Sequence, residues 1–245
     1  MREIFVIGIG TGNPEHVTIE AVRALNAADL VLIPRKGAGK ADLAELRREI
    51  CWRYLENPST RIVAFDMPVR DAEGGYREGV DAWHREIAKR YRALIEPEDG
   101  RVALLVWGDP SLYDSTLRIL DLLAEAGLAF ARRIVPGITS LQVLAARHGV
   151  ALNTVGGPVH VTTGRRLREA VPDADSIAVL LDGGCAFRAI DPEGVTIYWG
   201  AYLGLANEVV IAGPLAEVGE RIAEVRAAAR AEAGWIMDTY LLRKG

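Results

Sequence analysis

Apolar positions in the first 148 residues follow two alternating periods. Short β-branched runs at 4–8, 30–33, 61–65, 102–107 and 131–135 predict strands, and segments of helical spacing at 19–28, 41–54, 76–95, 111–126 and 140–148 predict the helices between them. In 76–95 the apolar residues Val80, Trp83, Ile87, Tyr91 and Leu94 share one helical face, leaving Arg77, Glu78, Arg85 and Glu86 to water. Such alternation predicts parallel strands joined by crossover helices. After His148 the pattern changes. Residues 149–158 hold three glycines, a proline and Asn153; strand-like runs then follow at 159–162, 177–181, 195–199, 209–212 and 235–242, with one clear helix at 216–231. Strands this dense imply a mixed sheet with antiparallel pairs. The expected fold is α/β in two domains, 1–152 with a mainly parallel sheet and 153–245 with a mixed sheet.

Composition adds limits. A chain of 245 residues that is 50% hydrophobic and 25% charged has enough apolar material for two such domains. The net charge of −4 is spread along the chain without a polybasic block, so nucleic acid is not an expected partner. The longest uninterrupted apolar run, 102–107, is shorter than a signal peptide or membrane span requires, and a cytoplasmic protein without membrane attachment is expected. Cys51 and Cys185 stand far apart, and His16, His84, His148 and His160 occur singly. Neither a metal site nor a disulfide framework is expected.

Three strand ends carry candidate chemistry. Gly8-Ile9-Gly10-Thr11-Gly12-Asn13-Pro14 follows the first strand, and its glycines allow close backbone approach to a ligand; a ligand-free tight turn is the plain alternative. Its spacing is Gly-x-Gly-x-Gly, and Pro34-Arg35-Lys36 stands where a dinucleotide fold has a ribose-binding acid. Trp107-Gly108-Asp109-Pro110-Ser111-Leu112-Tyr113-Asp114 ends the fourth strand, where open α/β sheets collect ligands. There Asp109 and Ser111 are equally suited to cap a helix that Pro110 begins. Val135-Pro136-Gly137-Ile138-Thr139-Ser140 again places small hydroxyl residues at a helix start.

Together, in this order, the three blocks resemble the tetrapyrrole methylase family over essentially the full length. The resemblance implies two α/β domains, S-adenosylmethionine (SAM) as cofactor in the cleft between them, S-adenosylhomocysteine as its product, and a homodimer. It implies cofactor contacts at Gly10, Thr11, Trp107, Gly108, Asp109, Leu112, Thr139 and Ser140, then at Leu181, Ala201 and Ala212 of the second domain. Thr11 stands where many relatives have proline, and Leu181-Asp182-Gly183 where they have a Met-Gly pair. The extended first block through Thr18, with Phe65-Asp66-Met67-Pro68-Val69-Arg70-Asp71 and Trp83-His84, resembles one branch specifically. That branch methylates the ring-A carbon of precorrin-5 and releases acetate.

Methyl transfer itself asks the protein for positioning and exclusion of water. Loss of an acetyl group asks for activated water and a stabilised oxyanion. The candidate bases are Asp114, Asp66, Asp71 and His84, with Tyr113 as a donor; for Asp114 and His84 the alternatives are a helix-start carboxylate and a partly buried helix residue. A substrate carrying acetate and propionate arms suits Arg35, Lys36, Arg70, Arg165, Arg166 and Arg168. Rival readings are a methylase acting at another ring position or on another substrate, an NADP-dependent reductase using the Tyr240-x3-Lys244 spacing, and a non-enzymatic SAM- or tetrapyrrole-binding protein.

Overall fold

The computed structural model describes residues 2–35, 41–69 and 76–245, and forms two compact units, Met1–Ile138 and Thr139–Gly245. The first contains β1 (Glu3–Gly8), α1 (Ile19–Asn26), β2 (Leu30–Arg35), α2 (Ala41–Tyr54), β3 (Arg61–Asp66), α3 (Tyr76–Ile95), β4 (Arg101–Val106), α4 (Thr116–Glu125) and β5 (Ala131–Val135). Its five strands are all parallel in the order β3-β2-β4-β1-β5.

Both faces of this sheet are buried, which is why its central strands read as continuous apolar runs. Ile4, Val6, Leu30, Leu32, Val102 and Leu104 pack with Ile87 and Tyr91 of α3 and with Ile119 and Leu123 of α4. On the opposite face, Phe5, Ile7, Val31, Ile33, Ala103 and Leu105 pack with Ala21 and Leu25 of α1 and with Ile50 and Cys51 of α2. β2 leaves its pairing with β4 after Leu32↔Leu104, and Arg47 of α2 donates its Nε–H to the freed carbonyl of Leu105 at 3.0 Å.

The second unit holds α5 (Ser140–His148), β6 (Val159–Thr163), α6 (Gly164–Glu169), β7 (Ser176–Leu180), β8 (Val195–Ala201), β9 (Val209–Pro214), α7 (Leu215–Ala233) and β10 (Asp238–Lys244). The strand order is β6-β7-β10-β8-β9, with β6 and β7 parallel and the other neighbours antiparallel. This is the expected mixed sheet. The expected division after residue 152 follows the glycine-rich stretch, whereas the compact units divide earlier, because α5 packs on β8, β9 and β10.

One boundary moved substantially. The helix expected from residue 111 begins at Thr116, since residues 109–115 fold as a turn in which Tyr113 adopts a left-handed φ of 51°. Asp114 rather than Asp109 serves the helix start, its Oδ1 accepting from the Thr116 N–H at 2.6 Å.

Candidate active site

In the first unit the chain leaves β1 toward β2 and leaves β4 toward β5, so the two adjacent central strands send their connections in opposite directions. Such a switch point opens a crevice beyond the carboxyl ends of the strands, the usual ligand position in open α/β sheets. Backbone fills part of it here. Gly10 and Gly108 form an antiparallel bridge, with the Gly108 N–H donating to the Gly10 carbonyl at 2.7 Å, and both have left-handed φ, 75° and 69°. A Cβ on Gly137 would lie 2.1 Å from the Gly108 oxygen, and one on Gly8 would lie 2.6 Å from the Gly137 nitrogen. Glycine is therefore what lets the three βα turns approach backbone to backbone.

Asp109 ties two of these turns together. Its Oδ2 accepts from the Gly137 N–H at 2.8 Å, and its Oδ1 accepts from the Ser111 N–H at 2.8 Å and from the Ser111 hydroxyl. Burial raises the pKa of this carboxyl, but the three hydrogen bonds outweigh it and the net shift is downward. The alternative in which Asp109 and Ser111 only cap a helix does not hold: they close the β4 turn and anchor it to the β5 turn. Thr11, next to Gly10 in the β1 turn, is buried, its hydroxyl 3.2 Å from Nδ1 of His16. Trp107 and Leu112 are half-buried in the same β4 turn.

The candidate bases separate into two groups. Tyr113, Asp114 and His84 converge at the start of α4, where His84 is 7% exposed and its Nε2 lies 2.9 Å from the Ser115 hydroxyl. Burial lowers the His84 pKa; Asp81 opposes this most, Arg118 reinforces it, and Asp114 opposes it again. Tyr113 is exposed, with desolvation raising its phenol pKa. Asp66 stands apart at the end of β3, in a two-point ion pair with Arg35 (Nε to Oδ1 3.0 Å, Nη2 to Oδ2 3.1 Å). Arg35, expected to face substrate carboxylates, thus has a partner on its own sheet edge. Lys36, Arg70 and Asp71 lie outside the described residues. Among those described, no group of three His, Cys, Asp or Glu could hold a metal ion.

In the second unit, Leu181 follows β7 with a left-handed φ of 52° and is exposed, and Ala212 in β9 is exposed as well. Ala201, at the end of β8, is fully buried, backbone included. Thr139 caps α5 through a capping box with Gln142, and Ser140 is the first helical residue. Sequence reasoning missed Asp182. It is 4% exposed; its Oδ1 accepts from the Gly184 N–H and from Arg168, and its Oδ2 from the Ala186 N–H and the Tyr240 hydroxyl. Arg226 donates to its carbonyl at 2.6 Å and also pairs with Asp238. The strained loop at Leu181 and Cys185, both with positive φ, is held in shape by this acid.

Tyr240 is fully buried and spends its hydroxyl on Asp182, while Lys244 lies exposed at the end of β10, so the reductase-like spacing is a coincidence of strand sequence. Tyr240→Phe is expected to lower stability by about 1.5–3 kcal/mol, the worth of a hydrogen bond to a charged group. Urea unfolding checks this, and a midpoint equal to wild type contradicts it.

Comparison with known proteins matches this architecture to one group. The chain is 55% identical to a precorrin-6A synthase [deacetylating] of Sinorhizobium sp, over 100% of this chain and 96% of that protein. A crystal structure of a cobalamin synthesis related protein (CobF) from Corynebacterium diphtheriae superposes with a TM-score of 0.86 at 41% identity, covering 100% of this chain and 99% of that one. The fold is shared with a uroporphyrin-III C-methyl transferase from Thermus thermophilus complexed with S-adenosyl homocysteine, at a TM-score of 0.61 and 20% identity over 98% and 97% of the two chains. Residues 3–219 match the family model itself, and the chain belongs to the tetrapyrrole (corrin/porphyrin) methylases.

Proposed function

We propose that the chain is a SAM-dependent C-methyltransferase of cobalamin biosynthesis. It methylates the ring-A carbon of precorrin-5 and releases the carbon's two-carbon appendage as acetate, giving precorrin-6A. The observation that carries this reading is the full-length 55% identity to a protein of that activity. A cytoplasmic homodimer is proposed with it, in keeping with the family resemblance; no helix among the described residues is long and apolar enough to cross a membrane.

The residues of the β1, β4 and β5 turns suit the cofactor. Gly10, Gly108 and Gly137 let the three turns pack backbone on backbone, which fixes the strand-end edge against which a flat adenosine or a methionine chain would lie. We assign Gly10, Thr11, Trp107, Gly108, Asp109 and Leu112 as its contacts from the first unit, Asp109 acting through the backbone it fastens. Thr139, Ser140, Leu181, Ala201 and Ala212 of the second unit are proposed contacts on the family pattern. When bound, SAM supplies an electrophilic methyl group. The protein's share is to hold the accepting carbon in line, exclude water and move protons during acetyl loss. Tyr113, Asp114, Asp66 and His84 remain the candidates for proton transfer; His84 meets Ser115 just before α4, whereas Asp66 is held by Arg35.

Thermal unfolding tests the cofactor assignment. SAM or S-adenosylhomocysteine at about 100 times its Kd is expected to stabilise the protein by about 2.7 kcal/mol, with NADPH without effect. Stabilisation by NADPH and not by SAM would support the reductase reading instead.

A further inference from the structure

Ser115 is the residue before α4, where a serine ordinarily accepts a hydrogen bond from its helix's first turn. Here it does not cap. Asp114 takes the Thr116 N–H instead, and the Ser115 hydroxyl pairs with Nε2 of His84 at 2.9 Å. Ser115 is half-buried and His84, on α3, is almost fully buried behind it. A solvent-reachable hydroxyl backed by a sheltered imidazole is the arrangement of an activated nucleophile. Ser115 ends the segment between β4 and α4, three residues after Leu112, and His84 meets it from α3. The N–H groups of Leu117 and Arg118, in the first turn of α4, have no acceptor within their helix and favour negative charge there.

We propose that Ser115 and His84 form a catalytic dyad that removes the acetyl group, with Ser115 as acyl acceptor and His84 as general base. This rests on the deacetylating reading above. Nε2 takes the Ser115 proton as Oγ bonds to the acetyl carbonyl carbon, and the oxyanion forms at the α4 N-terminus. The bond between acetyl carbon and ring carbon then breaks, its electron pair passing to the ring carbon, the position that is methylated. With the ring carbon methylated, the imidazolium of His84 releases its proton to solvent; the neutral imidazole then deprotonates a water that attacks the acetyl-serine and returns that proton to Oγ as acetate leaves, restoring Ser115. Burial favours the neutral imidazole that this requires, with Arg118 in support and Asp81 and Asp114 opposing. Among the described residues no carboxylate hydrogen-bonds His84, so the unit is a dyad rather than a triad.

The test combines kinetics with trapping in the full-length protein supplied with precorrin-5 and SAM. Ser115→Ala should lower acetate release by about 10³-fold while SAM affinity measured by calorimetry is retained, and Ser115→Ala with His84→Gln should be no slower, as expected of groups acting as a unit. Ser115→Cys should carry an acetyl thioester at position 115, detected by peptide mass after acid quench. Acetate release by Ser115→Ala within tenfold of wild type, or acetate release by wild type and Ser115→Cys with no acetyl group at residue 115 in either, overturns the proposal. Absence of acetate from the wild-type protein would instead overturn the functional reading on which it rests.

Discussion

Replacing Gly137 by alanine is expected to weaken SAM binding by at least about 100-fold, roughly 2.7 kcal/mol, and to lower folding stability by about 3 kcal/mol. The added Cβ would stand 2.1 Å from the Gly108 oxygen and 2.8 Å from the Gly8 backbone. Those neighbours are main-chain atoms of two turns fixed by strand pairing, so no side chain can swing aside; the β5 turn must move away from the other two. The Gly137 N–H would then leave Asp109, removing a charge-assisted bond as well. Gly219→Ala is the control. In α7 its Cβ meets only Leu215 at 3.4 Å, so it is expected to stabilise by about 0.5–1 kcal/mol and leave SAM binding unchanged. Isothermal calorimetry and urea unfolding of both variants decide the matter, and SAM affinity of Gly137→Ala within a few-fold of wild type would contradict the packing argument.

Asp109→Ala is expected to cost about 3 kcal/mol of stability and to weaken SAM binding about tenfold or more. The carboxylate already serves three protein donors, so its influence on the cofactor runs through the Ser111 and Gly137 backbone it holds. Asp109→Asn should restore little, because the amide replaces one acceptor oxygen by an N–H2 group that faces a donor. The pH dependence has a definite sign. The folded pKa of Asp109 is lowered, so its contribution is full above the ordinary carboxylate value of about 3.9 and is lost as pH falls through the folded value. Wild type should therefore lose its stability advantage over Asp109→Ala in acid. An Asp109→Ala variant with normal stability and normal SAM affinity would show that the turn does not depend on this residue.

Most of the framework was legible in the sequence because it rests on local periodicity. Strands buried on both faces, such as 102–106, read as unbroken apolar runs, and the face of α3 carrying Ile87 and Tyr91 read at helical spacing. What stayed hidden depends on contacts between distant residues. Nothing near Asp109 signals that it bonds Gly137, 28 positions away, and that bond is part of what holds residues 109–115 as a turn instead of a helix start. Ser115 looks like a cap until His84, 31 positions earlier, is placed beside it. Asp182 reads as a loop acid, although Arg168, Tyr240 and Arg226 enclose it from three separate elements. The glycine-rich stretch at 149–158 marks a change of texture, but α5 precedes it and packs with the sheet that follows.

Turnover is the most direct test of the proposed activity: the protein is incubated with precorrin-5 and SAM carrying an isotopically labelled methyl group, the macrocycle is identified by mass spectrometry and NMR, and free acetate is assayed in the same reaction. The expected result is precorrin-6A with the label on the ring-A carbon and acetate released in equal amount. Label at another ring carbon, methylation without acetate, or no turnover by protein that binds SAM would contradict it.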